Sequence, residues 1–350
     1  MRRLFVQPLT AVLAVLAFAP MSYAQEAAEK PAEPTPKLLV KHLNNPSGVT
    51  VHPGTGHVFV TSNQGVFRWD RSTPGKVYLE VEGFPTDVYG KGPKYNIGPL
   101  GVTLWGTDRL IVPDGGLQDG EELVRVYKIA DELPAKPRKA TETEFALGPI
   151  KGNPEINYKG EGNYYAAIVW NDTIYVTSNG DDTKGWIATA KIVDGKPGEL
   201  TGTIATKEAT EVDAPVAITV TPDGSSLVVG QMGEMTVPGD SLLTFYDKEG
   251  KLTKKLTTGL NDITGLAYSP KTGKLYATDF AWAEEIKGNG GLFELEVGEE
   301  AVTAKKIVSL DRPTALAFDK EGTLYLTVFG TGENTGEKPT GGLVRLEPGL

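Results

Sequence analysis

Cysteine is absent from the 350 residues, histidine occurs three times, and basic residues are outnumbered by acidic ones, 35 to 45. Without a thiol there is no thiol nucleophile, disulfide framework, iron–sulfur cluster or thiolate zinc site. A net charge of −10 leaves no basic face for a phosphate backbone, so nucleic acid is not an expected partner. No apolar run reaches the roughly 20 residues that a membrane span needs. Long helices are not expected either: 42 Gly and 24 Pro, without a collagen period, imply many turns.

The first 24 residues, MRRLFVQPLTAVLAVLAFAPMSYA, have two arginines, an apolar run and the small-x-small end Ser22-Tyr23-Ala24. Those three parts make a secretory signal peptide with a cut expected after Ala24, and a secreted or periplasmic protein. Its removal takes Arg2 and Arg3 but no acid, leaving −12. Residues 25–36, QEAAEKPAEPTP, have no apolar periodicity and read as a disordered tether.

Residues 37–350 repeat one pattern six times. The copies are PSGVTVHPGTGHVFVTS, PLGVTLWGTDRLIVPD, YAAIVWNDTIYVTS, PVAITVTPDGSSLVVGQ, ITGLAYSPKTGKLYATD and PTALAFDKEGTLYLTV. Each places a small residue (Gly48, Gly101, Ala166, Ala217, Gly265, Ala315) before an alternating apolar strand, a tight turn and a second strand. A third strand follows, and a fourth in the first five copies. The sixth copy lacks its fourth strand, while a spare strand, residues 38–43, precedes the first copy. Lending it to the last copy closes a ring and removes both the gap and the exposed edge. The expected fold is therefore all-β, a six-bladed β-propeller of four-stranded blades.

The strand pair with its Pro-x-Gly/Ala opening and PDG-type turn resembles NHL-repeat and SMP-30/gluconolactonase-like six-bladed propellers. TPDGSSLVVGQMGE, TGLAYSPKTGKLYATD and the terminal GGLVRLEPG carry the resemblance most closely. It implies a divalent metal held by oxygen ligands at the tops of the innermost strands, and lactone hydrolysis. The corresponding column here reads Ser47, Leu100, Tyr165, Val216, Thr264, Thr314, with no carboxylate or Asn, and the family's Asn-Gly-Leu-Ala becomes Thr264-Gly265-Leu266-Ala267. Glu161, Asn163, Asp213 and Asp279 are the candidates for a displaced ligand set. Calcium is the cation that such oxygens suit.

The long loops lie on one face, between second and third strands: residues 113–122, 178–186, 231–241, 279–291 and 329–342. They carry 13 acids against three lysines. Insertions confined to one face mark the binding face of a repeat protein. The binding residues expected there are Asp114, Ser178, Asn179, Asp181, Asp182, Trp186, Gln231, Asp279, Trp282, Glu284 and Glu285. The tryptophans either anchor a partner or fold back over the blade. Phe59, Tyr175, Tyr276 and Tyr325 share one second-strand position and are expected in the core. Gly239-Asp240-Ser241-Leu242 spells a hydrolase block, yet it opens a third strand and all three histidines lie before residue 58, so no serine nucleophile with a base is expected.

These readings lead to a monomeric, exported recognition module for a protein, peptide, glycan or small molecule, without assigned catalytic residues. The alternative is a metal-dependent lactone or ester hydrolase.

Overall fold

Six sheets, each built on four antiparallel strands, stand around one axis in the computed structural model, which describes residues 33–350 apart from Lys91, Pro93, Pro154, Ile156, Asn157, Glu161, residues 179–183 and residues 331–338. The innermost strands are Gly48–Val51, Thr103–Trp105, Tyr164–Trp170, Pro215–Val220, Ile263–Tyr268 and Pro313–Phe318. Each touches the next, and the sixth touches the first, so the ring is closed. The six-bladed propeller expected from the repeat is the observed fold. No helix among the described residues is long and apolar enough to cross a membrane.

Hydrophobic patterning follows distance from the axis. The second strands Val58–Ser62, Leu227–Gln231 and Leu275–Asp279 lie between neighbouring blades and are buried at every position, so they read as continuous apolar or small runs. An outer strand such as Leu252–Thr257 alternates burial with exposure, as a half-solvated edge does. Phe59, Tyr276 and Tyr325 are buried, and Tyr175 packs partly buried against the core between the third and fourth blades.

The spare N-terminal strand completes the last blade. Lys37–Leu43 pairs antiparallel with Gly341–Leu346, with Lys37 opposite Arg345 and Leu43 opposite Gly341. Val40 and Leu43 then join Val49, Val58, Tyr325 and Leu343 in one core cluster that links the two ends of the chain.

At the axis the blades nearly touch. A Cβ on Gly101 would stand 2.2 Å from the carbonyl oxygen of Tyr165, and one on Gly48 would stand 2.7 Å from the carbonyl oxygen of Leu100. That approach is why the recurring position is Gly or Ala. Hydroxyls bind one blade to the next across the same gap. Ser47 donates to Pro99 O (3.2 Å), Thr61 to Leu100 O (2.6 Å) and Thr177 to Val216 O (2.8 Å). Thr264 donates to Pro313 O (2.9 Å) and Thr314 to Pro46 O (2.7 Å), the last across the closure.

Two insertions leave the repeat. Strands Asp87–Tyr89 and Tyr95–Ile97 form a hairpin between the first two blades. Residues 130–139 reach back to the first blade, where Arg138–Lys139 adds a short parallel strand beside Val77–Glu82. Arg68 anchors this arm. Its guanidinium pairs with buried Glu80 at 2.9 Å and donates to Ala130 O and Glu132 O.

Gly101→Ala is expected to destabilise the protein by roughly 3 kcal/mol, because backbone, not a flexible side chain, must yield. Thermal unfolding checks this; an unchanged midpoint would show that the blades do not approach so closely.

Candidate functional site

All six residues of the innermost column meet at one place. Ser47, Leu100, Tyr165, Val216, Thr264 and Thr314 line a chamber on the axis, at the face that carries the long loops. The loops add Met232, Phe280, Trp282 and Phe329, and the hairpin adds Tyr89 and Ile97. Empty space between these atoms is about 500 Å³, mouth included, but only about 40 Å³ is wide enough for the centres of water molecules. The chamber is thus narrow and its wall is mostly apolar.

Aromatic packing builds that wall. Tyr95, on the hairpin, sets its ring at 5.3 Å from those of both Trp282 and Phe329 and 6.1 Å from Phe280, all edge-on. Arg312 lies over the Tyr95 ring at 5.6 Å and pairs with exposed Glu284. Burial pushes the Tyr95 phenol up to about 12. The hairpin is tied down by Asn45, whose amide donates to Asn96 O at 2.7 Å. It is the part of the site missing from the repeat reading. The signal available was the alternation Asp-Val-Tyr and Tyr-Asn-Ile on either side of a Gly-Lys-Gly turn.

Tyr165 divides the axis. It belongs to the third blade, yet its phenol donates to Thr314 O of the opposite, sixth blade at 3.4 Å. A second chamber lies beneath, with about 200 Å³ open to the centres of water molecules against about 40 Å³ in the first, and Ser47, Tyr165 and Thr264 line both. The Tyr165 side chain is surrounded by protein, which raises its phenol well above the ordinary range, while part of its surface faces the cavity.

The polar residues at the second-strand ends turn into their own blades, away from the axis. Asp114 accepts from the Gly116 amide (3.0 Å) and from Arg125 (3.2 Å). Ser178 donates to Gly162 O and Gln231 to Val212 O. Asp279 accepts from the amides of Asn261 (3.1 Å) and Asp262 (2.8 Å) and from the Asn261 side chain. One device recurs with four residue types: the strand end holds a neighbouring loop. Asp114, Ser178, Gln231, Asp279, Trp186 and Trp282 are all at least nine-tenths buried, so both tryptophans fold back over the structure. Glu284 and Glu285 are exposed. Asn179, Asp181 and Asp182 lie outside the described residues.

The metal implied by the resemblance does not fit the donors among the described residues. Ser47, Thr264 and Thr314 already donate to backbone carbonyls of the next blade. Asp213 pairs with Lys207 at 2.8 Å and accepts the Ala214 amide, and Asp279 is saturated as described. Asn163 lines the chamber; Glu161 lies outside the described residues. Among the described residues no three His, Asp or Glu side chains are grouped to hold a metal.

The Gly239-Asp240-Ser241-Leu242 block assembles no nucleophile either. Ser241 is buried, its one hydroxyl proton lies between Met232 O and Asn261 O, each 2.8 Å from Oγ, and it accepts the Ile263 amide, so its hydroxyl is a strut. His52 takes the Gly54 and Thr55 amides on Nδ1, which leaves Nε2–H to donate to Thr107 O at 2.7 Å on the tight-turn face.

One carboxyl near the chamber is unusual. Asp262 is 1 % exposed and accepts the Trp282 amide at 2.6 Å. Burial, with Asp279 and Asp240 nearby, raises it to about 7.

Solved structures share this architecture. A gluconolactonase from Xanthomonas campestris superposes with a TM-score of 0.58 at 14 % identity, over 90 % of each chain. The fold is that of the gluconolactonase-like six-bladed propellers. A soluble aldose sugar dehydrogenase from Escherichia coli, in its apo form, superposes at 0.60 with 15 % identity, over 90 % of this chain and 99 % of that one. A glucose dehydrogenase does so at 0.60 and 14 %, over 90 % and 100 %. By sequence, no protein-family model and no curated protein matches the chain.

Asp262 sets a pH prediction. Its folded value lies above that of the unfolded chain, so the native state holds the extra proton between about pH 4 and 7. Stability from this group is present at low pH and lost as pH rises to about 7. Asp262→Asn keeps an acceptor for the Trp282 amide. It should gain roughly 2–4 kcal/mol on the wild type between pH 5 and pH 8. Denaturant unfolding at the two pH values measures it; parallel losses in both proteins would contradict the assignment.

Proposed function

We propose that the chain is an exported, non-catalytic propeller that takes a small, flat, largely apolar molecule into the axial chamber. The observation that carries this reading is the chamber wall: aromatic and aliphatic side chains face the space, and the hydroxyls of the innermost column are held by backbone carbonyls. A slot this narrow suits a planar ring between aromatic edges better than the thicker chair of a sugar. Exposed Asp119, Glu121, Glu284 and Glu285 stand on the same loop face, where they disfavour anionic ligands over neutral or cationic ones. The recognition role expected from the long loops is kept, with its seat moved from the acidic tips to the axis.

Hydrolysis of a lactone or ester is the second reading. The gluconolactonase among the structures of like fold favours it, as does Asp262, a carboxyl able to exchange a proton near neutrality beside the Trp282 segment.

Intrinsic fluorescence tests the first reading, because Trp282 lines the chamber. Styrene is expected to give a saturable change in tryptophan emission in the wild type and none in Trp282→Phe. A wild type without a saturable response would overturn it. A panel of lactones and aryl esters, with and without chelator, separates the two readings: no turnover is expected, and chelator-sensitive turnover would establish the hydrolase instead.

A further inference from the structure

Tyr165 carries more of the site than its place in the repeat requires. Its position in the column is held by Ser47, Thr264 and Thr314 in three other blades, each hydroxyl bound to the blade that follows at 3.2 Å or less. Tyr165 instead passes its ring over the axis. Its hydrogen bond to Thr314 O is long at 3.4 Å, near the limit at which a hydroxyl still gains from its acceptor. Thr314 O is thus a resting partner, readily exchanged for a closer one. The phenol lies at the floor of the upper chamber, which among the described residues presents no lysine or arginine.

The geometry points to Tyr165 as the specificity-determining donor of the axial chamber, which selects flat apolar molecules bearing a carbonyl or comparable neutral acceptor at the inserted end. The inference rests on the chamber reading above and adds the polar half of the ligand. The apolar body would lie against Trp282, Phe280 and Phe329, with the acceptor pointing down the axis. Without such an acceptor the ligand leaves the phenol on its long bond and gains only from burial. A carboxylate is a poor occupant of a chamber with no cation in its wall.

Acetophenone and α-methylstyrene are near-isosteric and differ in C=O against C=CH₂, so they isolate the hydrogen bond. Titration by tryptophan emission should show acetophenone binding about 3–10-fold tighter to the wild type, the span expected of one neutral hydrogen bond. In Tyr165→Phe the preference should vanish while α-methylstyrene binds as before. A preference that persists in the variant, or is absent from the wild type, overturns the role of Tyr165 and leaves the chamber reading in place. Binding of neither probe removes both. Should Tyr165→Phe fail to fold, the infrared carbonyl band of acetophenone bound to the wild type decides: a shift to lower frequency is expected, and a band at its apolar-solvent position contradicts the donor.

Discussion

Everything at this propeller's centre depends on how closely six innermost strands approach one another. A bare glycine at Gly48, Gly101 and Gly265 lets backbone meet backbone, and a hydroxyl from Ser47, Thr61, Thr177, Thr264 or Thr314 reaches the next blade's carbonyl across the gap. These hydroxyls give partners to five buried carbonyls at the axis, and a buried carbonyl left without one costs about 1–3 kcal/mol. The bonds also limit the bore, because a blade held at this distance cannot widen the channel without breaking one. The N-terminal strand then secures the closure at the outer edge, and Thr314 secures it at the axis.

That constraint has a chemical consequence. Oxygens on the innermost column are the ones positioned to surround an axial ion, and here three of the six are bound into the ring while the other three positions are Leu100, Tyr165 and Val216. The loops complete the chamber with Phe280, Trp282 and Phe329, and the hairpin brings Tyr95 against all three. Buried acids serve these loops: Asp279 and Asp262 accept amides of residues 261, 262 and 282. Two of the acids that made the loops look like a charged surface in the sequence, Asp114 and Asp279, are buried and hold loop backbone, as Asp262 does beside them.

The blade count, the ring closure and the axial column were legible because repetition multiplies a weak signal. Six copies of one small residue locate the axis, and six column residues follow by counting. What faces the axis was harder to read. Trp282 and Asp279 sit three residues apart in one acidic loop, yet one lines the chamber and the other turns into its blade; the difference is set by the Asp262 and Asn261 contacts, distant from any local pattern. The hairpin with Tyr89 and Tyr95 escaped for the opposite reason. It occurs once, between blades, so no second copy marked it. Its own alternation around Gly-Lys-Gly was the only cue.

Crystals grown with acetophenone offer the most direct measurement of where, and how, this propeller binds. The density should show its ring against Trp282 and Phe329, with the carbonyl within hydrogen-bond reach of the Tyr165 phenol and the Tyr165–Thr314 bond released. A chamber left to water, with a divalent cation from the medium held by the innermost column, would contradict it.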